Sequence, residues 1–206
     1  MASGARQTYQ RKTADERRQD LIAAGITCLG KGGMAAFTID QICREAGISR
    51  GLINHHFHSK DELLAAIYRD MTEHLVNLDV TAGGERVLVQ VIETNFDEST
   101  FNRSNLRAWL AIWGQVSSNP ALSAIHNERY STYHAGIRRA LREQIGSQGR
   151  VLDVDSLARQ LIALIDGLWL EYCLHSEGFS LAEARRDCYR FLAAFDIILD
   201  TTGESR

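Results

Sequence analysis

The pattern of apolar and polar positions indicates helices along nearly the whole chain. Apolar side chains recur every three or four residues, and no stretch shows the strict alternation that is typical of a strand. The segment from Thr38 to Leu63 holds two short apolar faces with Gly47 between them. A glycine tolerates the left-handed backbone that a tight turn between two helices needs. Helices this short are unstable alone, so we expect the pair to pack on the helix that precedes it.

Helix starts are indicated by side chains that can bind free backbone N–H groups. A Ser or Thr followed three residues later by Glu or Gln predicts a capping box. Ser49 is a lone N-cap candidate, and Asn119 before Pro120 predicts another start because proline suits the first helical position. The four capping-box pairs are Thr13 with Glu16, Thr38 with Gln41, Ser59 with Glu62, and Ser180 with Glu183.

Together these patterns predict an all-α fold of about nine helices in two domains. The first domain covers residues 1–60, of which 1–12 are expected to be a disordered basic arm, and the second covers 61–206. The helix that begins near residue 60 starts in the first domain and ends in the second, so we expect it to link them mechanically. The expected helices are 13–29, two short ones between 38 and 57, then 60–78, 85–96, 101–116, 120–145, 155–175 and 180–199, with a loop at 146–149.

The second short helix is expected to carry small polar groups on its outer side. Arg50 and Asn54 have defined hydrogen-bonding partners on base edges, and a short helix of this kind fits the major groove of DNA. Gly51, Leu52 and His55 share the same surface. The alternative is a plain helical hairpin with a solvated face.

Net charge divides unevenly along the chain and favours the first of these interpretations. The total is −3, but residues 1–60 hold nine Lys or Arg and five Asp or Glu, a net of +4. The remainder holds 14 and 21, a net of −7. A basic N-terminal lobe on an acidic body suits contact with phosphates. The asymmetry is modest, so charge alone does not establish DNA binding.

Cysteine usage and hydropathy predict a cytoplasmic protein without membrane contact. The four cysteines lack CxxC spacing and the first residues are polar and basic, which favours a reducing compartment. The most apolar region, residues 157–174, is interrupted by Arg159, Asp166 and Glu171. It is too charged for a membrane span and fits a buried interface helix.

Motifs of enzyme chemistry are missing from the sequence. There is no Gly-rich phosphate loop, no nucleophile elbow and no HExxH pair. His55, His56 and His58 are close in sequence, but neighbouring helical positions point in different directions and make a poor metal site. We therefore predict no enzymatic activity, no catalytic residue, no metal site and no cofactor. A dimeric scaffold is a further alternative, although it leaves the groove-suited helix unexplained.

The stretch GISRGLINHHFHSKDELL resembles the helix–turn–helix signature of the TetR family of bacterial repressors. Gly47, Ser49, Gly51 and Phe57 fall in register, as do Lys60 and Leu63, whereas Asn54 and His55 replace the usual tyrosines. The resemblance implies a three-helix DNA-binding domain followed by a ligand-binding and dimerisation domain. A homodimer would place two recognition helices about 34–36 Å apart, matching a palindromic operator. The predicted DNA contacts are Thr38, Ser49, Arg50, Gly51, Leu52, Asn54, His55 and Lys60.

Four further stretches resemble the choline-responsive BetI-type subgroup of that family: NFDES, RAWLAIW, NPAL and ALIDGLWL. The resemblance implies a small quaternary ammonium effector, and an unrelated hydrophobic or cationic ligand is the alternative. Aromatic faces hold such a cation, often with help from a carboxylate. The same helical spacing also fits ordinary core packing, so both interpretations stay open. The predicted ligand residues are Trp109, Trp113, Tyr130 and Tyr133, with Asp97, Asp166 and Glu171 as candidate counter-charges.

The last two predicted helices carry more apolar surface than one body contact needs. The helix at 155–175 is apolar over more than half of its circumference. This surplus predicts a homodimer interface of four helices, two from each subunit. The predicted interface residues are Leu161, Ile165, Leu168, Trp169, Phe191 and Phe195.

Overall fold

A computed structural model describes residues 13–79, 81–146, 152–175 and 178–200, and these residues form ten helices and no strand. The all-α prediction is confirmed. The predicted basic arm at 1–12 and most of the loop at 146–149 lie outside the described residues. The helices are α1 (Ala14–Ala36), α2 (Ile39–Ala46), α3 (Arg50–His56), α4 (Lys60–Met71), α5 (Glu73–Val76), α6 (Gly84–Asn95), α7 (Arg103–Val116), α8 (Pro120–Gly146), α9 (Val154–Leu174) and α10 (Leu181–Ala193).

Two predicted helices end earlier than the apolar period suggests. The helix expected at 60–78 breaks at Thr72, whose hydroxyl donates back to the carbonyl of Tyr68 at 2.6 Å and separates α4 from α5. This break makes ten helices from the nine expected. The helix expected to reach residue 199 ends at Ala193, and Asp196 then takes a positive φ of 56°.

The first helix runs further than its glycines suggest. An end was expected at Gly30–Gly33, but α1 continues to Ala36 across a kink. Gly32 and Gly33 leave helical geometry there, and Gly33 has a φ of 59°, which favours glycine. The chain resumes the helix because Phe37 beyond it is completely buried and anchors the end.

Capping is confirmed in full at two of the four predicted boxes. Both reciprocal bonds form between Thr13 and Glu16 and between Ser180 and Glu183. Thr38 and Ser59 bind the backbone N–H three residues on, but the return bonds expected of Gln41 and Glu62 are replaced. The Thr38 N–H donates to Ala36 O, and Glu62 accepts from the N–H of His58 instead. Asn119 caps α8 as predicted, accepting from the N–H groups of Ala121 and Leu122.

The helix–turn–helix packs on α1, as its short helices require. Gly47 ends α2 with a φ of 65°, and the chain turns directly into α3. Ile42 of α2, Ile53 of α3 and the following Phe57 are buried at 0–2% exposure in a core that includes Leu21 of α1.

That core continues without interruption into the C-terminal helices. Gly30 of α1 lies so close to α7 that an added Cβ would be 2.7 Å from the backbone oxygen of Ser104. The division of the chain at residue 60 therefore stays a prediction, because α1 packs closely on a helix beyond it. Within the part of the chain that is described, no helix is both long and apolar enough to cross a membrane. The four cysteines are free thiols.

Candidate functional site

The second helix of the helix–turn–helix, α3, presents its polar side chains to solvent. Ile53 and Phe57 are buried against the N-terminal core, and this contact turns the opposite side of the helix outward. Arg50, Asn54 and His55 are exposed on that side. α3 therefore offers the exposed hydrogen-bonding surface that a major-groove helix requires.

Ser49 and Thr38 occupy equivalent positions before two helices but use their hydroxyls differently. The Thr38 hydroxyl accepts from the N–H of Gln41 at 3.3 Å and caps α2. Ser49 stands at the N-cap of α3, but its side chain makes no capping hydrogen bond. The exposed Ser49 hydroxyl is therefore available to an external acceptor such as a phosphate.

Arg50 is held on the surface by an ion pair with Asp40 of α2. The two side chains are 68% and 54% exposed. Water and salt screen an exposed pair of this kind, so little free energy is lost when it opens. Asp40 orients the guanidinium without retaining it against a stronger partner.

Gly51 leaves an unfilled space on the exposed surface of α3. A Cβ added there would meet no heavy atom of the described chain within 4 Å. Glycine inside a helix costs about 1 kcal/mol relative to alanine, and no internal contact explains that cost here. The missing side chain is explained if an external surface approaches this turn closely.

Leu52 and Lys60 complete the predicted DNA surface. Leu52 is half-buried on α3, and Lys60 is exposed in the first turn of α4, with its ammonium 5.7 Å from the centre of the Phe37 ring. A lysine beside the free N–H groups of a helix start suits a phosphate. All eight predicted DNA-contact residues thus lie on or beside the helix–turn–helix.

A second group of predicted residues meets in an aromatic cluster deeper in the chain. The ring of Trp109 lies edge-to-face with those of Tyr68, Trp113 and Trp169, at centroid distances of 5.7, 5.3 and 5.6 Å. The cluster continues through stacked rings on α8, 4.2 Å apart. Its members are Tyr68 of α4, Trp109 and Trp113 of α7, His126, Tyr130 and Tyr133 of α8, and Trp169 of α9.

Asp166 of α9 places a carboxylate against this cluster. The Tyr130 hydroxyl donates to it at 3.3 Å. Burial raises the pKa of Asp166 to about 7, although the Tyr130 hydrogen bond acts in the opposite direction. A bound cation would favour the ionised form, so Asp166 is suited to counter a positive charge at this place.

Hydrogen bonds fix the orientation of the rings. The Tyr68 hydroxyl and His126 Nδ1 share a hydrogen bond at 2.7 Å, and burial lowers the pKa of His126, which favours the neutral ring. The side-chain amide of Asn95 of α6 donates to the Tyr133 hydroxyl at 3.0 Å, and the backbone carbonyl of Asn95 accepts from the Trp169 indole at 3.1 Å. The buried Trp113 indole N–H lies near the Tyr68 hydroxyl but outside regular hydrogen-bond geometry.

Three of these residues were missed as site candidates. Tyr68 is completely buried and His126 half-buried on their helices, and Asn95 is a buried polar residue among the apolar positions of α6. Polar groups at such positions indicate a buried hydrogen-bonding site, but their partners come from distant helices and cannot be identified from spacing.

Two predicted counter-charges lie away from the cluster. Asp97 is exposed in the turn after α6, where the side chain and N–H of Ser99 donate to it and lower its pKa. Glu171 is exposed on α9, 4.0 Å from His175. Both carboxylates are solvated, so neither is placed to neutralise a buried cation, whereas Asp166 is.

An open cleft of about 620 Å³ between α8 and α9 reaches the edge of the cluster. Of the four predicted cage residues, Tyr130 lines it, while Tyr133 is buried behind and Trp109 faces a separate cavity of about 280 Å³. The lining residues are His126, Asn127, Tyr130, Ser131, His134, Ala135, Arg138, Arg159, Ile162, Ala163 and Asp166.

The predicted dimer residues divide into buried and exposed sets. Leu161, Ile165 and Trp169 are only 0–6% exposed within the single chain, so their own chain already covers them and their place in an interface stays a prediction. α9 packs on α7, α8 and α10 of the same chain, and the Trp169 indole also reaches Asn95 of α6. Leu168, Phe191 and Phe195 are half-buried and keep surface for a partner. The free apolar surface lies at other positions: Leu170, Leu174 and Ile198 are 43%, 64% and 74% exposed.

Metal binding finds no support in the described ranges, where no group of three or more His, Cys, Asp or Glu side chains could hold an ion.

Two family models match the chain. Residues 84–196 match the C-terminal region of BetI-type transcriptional repressors. Residues 21–67, which contain the helix–turn–helix, match the tetR family of bacterial regulatory proteins.

Individual relatives and solved structures agree with these matches. The HTH-type transcriptional regulators BetI of Cronobacter sakazakii and Serratia proteamaculans are 33% and 36% identical, over 85% and 82% of this chain and 89% and 86% of theirs. A putative transcriptional regulator from Pseudomonas aeruginosa superposes with a TM-score of 0.78 at 31% identity, over 92% of this chain and 95% of its own. A regulator from Saccharomonospora viridis in complex with choline superposes with a TM-score of 0.75 at 25% identity, over 87% and 96% of the two chains.

Proposed function

This chain belongs to the TetR family of bacterial transcriptional regulators and carries a BetI-type C-terminal region, and from this we propose that it is a dimeric, cytoplasmic repressor modulated by a quaternary ammonium compound. It is a DNA-binding regulator and not an enzyme, as the sequence predicted. The single observation that carries the effector proposal is the half-buried Asp166 carboxylate against a cluster of seven aromatic rings.

DNA binding is assigned to the exposed surface of α3 and its flanks. Arg50 leaves Asp40 for a base edge, Asn54 and His55 bond to bases or phosphates, and Leu52 touches a thymine methyl. Thr38, Ser49 and Lys60 bind backbone phosphates, which position the helix without specifying sequence. Gly51 allows the close approach.

Dimerisation is assigned to the exposed faces of α9 and α10. Ala163, Gly167, Leu170 and Leu174 are exposed at helical spacing on one face of α9. Small residues there would allow two copies of α9 to approach closely, with the leucines, Phe191 of α10 and Phe195 just beyond α10 at the edges. Two copies related in this way would present their α3 helices to successive turns of a palindromic operator.

The effector is assigned to the end of the cleft lined by Tyr130, His126 and Asp166. A trimethylammonium group offers no strong hydrogen-bond donor, so it is held by aromatic faces and a carboxylate. Choline is the compound we favour, since a solved regulator of similar fold holds it. Trp109, Trp113 and Tyr133 support this end from behind.

Two contacts are placed to transmit effector binding to the DNA surface. Tyr68 touches Trp109 and His126 from α4, the helix that starts beside α3 with Lys60. α1, on which the helix–turn–helix packs, lies in close contact with α7 at Gly30. α7 carries two tryptophans of the cluster, Trp109 and Trp113. We propose that the effector shifts these helices and favours a spacing of the two α3 helices that misfits the operator.

The DNA assignment is tested by fluorescence anisotropy on labelled DNA from upstream of the protein's own gene, with random DNA as competitor. Arg50→Ala should weaken specific binding by about 1–3 kcal/mol, roughly fivefold to 150-fold, and relax base preference at one position. Arg142→Ala is the matched control, because Arg142 is another exposed arginine, on α8. It should change neither the affinity nor the base preference. An Arg50→Ala protein that keeps both its affinity and its base preference would show that the recognition helix is wrongly assigned.

A further inference from the structure

The cleft between α8 and α9 has two ends of opposite chemical character. One end holds the Asp166 carboxylate with Tyr130 and His126, and the other holds Arg138 and Arg159 with His134. The two helices run antiparallel, because Tyr130 meets Asp166 while Arg138 meets Asp155. At a rise of about 1.5 Å per residue, the two ends are roughly 10–12 Å apart at the backbone. Flexible arginine side chains can shorten that separation considerably.

The basic end retains a positive charge after its internal ion pair is counted. Arg138 binds Asp155 at 3.0 Å, whereas Arg159 is exposed and makes no ion pair with another described residue. Both guanidinium groups act on His134, whose pKa is lowered by burial and by these two neighbours. One net positive charge therefore remains at this end of the cleft.

Two nitrogen atoms at the basic end are unsatisfied. His134 Nε2 and Arg138 Nε are buried and find no hydrogen-bond partner among the residues that are described. Buried nitrogens of this kind are costly when unpaired and are usually satisfied by protein, water or ligand. An anionic oxygen drawn into this end would satisfy them after small side-chain movements.

The cleft is also larger than choline needs. It measures about 620 Å³, whereas a compact cation such as choline fills on the order of 200 Å³ at liquid-like atomic volumes. The space beyond the cation extends along Ser131 and Ile162 toward the arginines. A longer ligand could therefore reach both ends at once.

We propose that the effector site takes a zwitterion, in which a trimethylammonium group sits against Tyr130 and Asp166 while a carboxylate or phosphate several bonds away binds Arg138 and Arg159. This proposal rests on the proposed function, since it places the cation where the effector is already assigned. The basic end then determines ligand specificity, because it binds an anionic group that choline lacks.

Isothermal titration calorimetry measures binding directly and needs no reporter side chain, which suits this cleft because none of the three tryptophans lines it. Choline, glycine betaine, 4-(trimethylammonio)butanoate and phosphocholine would be titrated at pH 8, where Asp166 is mostly ionised. We expect at least one of the two long zwitterions to bind about tenfold more tightly than choline. Comparing the two identifies the anionic group as a carboxylate or a phosphate, and glycine betaine tests whether a short spacer suffices.

Arg159→Gln is the informative variant because the side chain is exposed and its loss should not disturb folding. It should weaken the preferred zwitterion about fivefold to tenfold and leave choline unchanged or slightly tighter. Arg142→Gln is the matched control, because Arg142 is an exposed arginine of α8 that does not line the cleft. This substitution should alter the affinity for neither compound.

Two other results would each overturn part of the account, and they can be told apart. If choline binds at least as tightly as every zwitterion and Arg159→Gln changes nothing, the zwitterion proposal is wrong and the quaternary ammonium effector stands. If none of the four compounds binds, the effector assignment itself fails, and the zwitterion proposal fails with it.

Discussion

The helix–turn–helix and the aromatic cluster differ in how their functional side chains take part in folding. On α3, Arg50, Asn54 and His55 are exposed, while other residues of the same short helices build the core. In the cluster, Trp109 and Trp169 are only 5% and 6% exposed and are themselves core residues. In the first region, binding can change with little effect on the free energy of unfolding. In the second, binding and stability change together, so every substitution there needs a stability measurement beside the binding one.

Trp169→Ala should show the largest effect and sharpen this contrast most. The substitution removes a buried ring between Trp109 and Phe101 and the hydrogen bond to Asn95. We expect a loss of about 3–5 kcal/mol in the free energy of unfolding, measured by urea titration with far-ultraviolet circular dichroism. Arg50→Ala should stay within about 0.5 kcal/mol in the same assay. A Trp169→Ala protein as stable as Arg50→Ala would erase the distinction between the two regions.

Asp166→Asn should change how stability depends on pH. The pKa of Asp166 is about 7 in the folded chain and near 4 when unfolded. The folded protein therefore binds the extra proton between these values, and its stability falls as pH rises from about 4 to about 7. Asparagine removes this dependence. The free energy of unfolding of Asp166→Asn relative to that of the wild type should therefore rise by roughly 2 kcal/mol between pH 5 and pH 8.

Urea titrations at those two pH values measure that difference, and the exposed carboxylate of Asp97, whose pKa is lowered by its hydrogen bonds from Ser99, supplies the control. Asp97→Asn should change the free energy of unfolding equally at pH 5 and pH 8, because the Asp97 carboxylate is ionised at both. A parallel pH response of Asp166→Asn and wild type would mean that the Asp166 carboxyl titrates normally.

Gly30→Ala tests the contact that joins the two regions. A Cβ at Gly30 would stand 2.2 Å from Ser104 Oγ and 2.7 Å from the Ser104 carbonyl oxygen, so α1 and α7 must separate. We expect a loss of about 1–3 kcal/mol in the free energy of unfolding, measured by thermal and urea denaturation. Gly114→Ala on α7 meets nothing within 4 Å of the described chain and should stabilise slightly, by about 0.5–1 kcal/mol. Equal effects of the two substitutions would show that the helices do not touch closely at Gly30.

Thr38 and Ser49 give the smallest and most local test within the helix–turn–helix. Thr38→Ala should cost about 1 kcal/mol of stability, because the Thr38 hydroxyl caps α2. Ser49→Ala should cost less than about 0.5 kcal/mol, since the Ser49 hydroxyl makes no capping bond. Urea titration measures both, and a larger loss at Ser49 would reassign its hydroxyl to folding and away from DNA.

The sequence was sufficient for the DNA-binding region because that region is local. Gly47, the cap at Thr38 and the apolar positions of two short helices lie within some 25 residues and define which side of α3 is exposed. The exposures of Arg50, Asn54 and His55 follow from that pattern alone, and the family signature lies in the same stretch.

The cluster was predicted only in part because its residues converge from distant helices. The spacing of Trp109 and Trp113 places them on one helix face, but periodicity does not show which carboxylate packs against that face. Asp97, Asp166 and Glu171 were therefore indistinguishable, and only the packing of α9 on α8 separates the half-buried Asp166 from the two solvated groups. The same limit explains Leu161 and Ile165, since an apolar stripe indicates burial without showing whether the covering surface belongs to the same chain.

The break at Thr72 has a different origin. The apolar period continues through Met71 and Leu75, so the pattern predicts one helix. The Thr72 hydroxyl competes for the backbone carbonyl of Tyr68 and ends α4 locally. Tyr68, the residue that links α4 to the cluster, thus lies in the last turn before this break.

The central claim is that the buried cluster controls the exposed helix, and choline titration of the protein bound to its labelled upstream DNA tests it directly. At pH 8, the account predicts that choline weakens DNA binding of the wild type by about tenfold, within the range usual for coupled sites. Asp166→Asn should bind the same DNA with unchanged affinity and lose the response to choline. A wild-type complex that ignores choline and the zwitterions alike, or an Asp166→Asn protein that responds as the wild type does, would contradict the account.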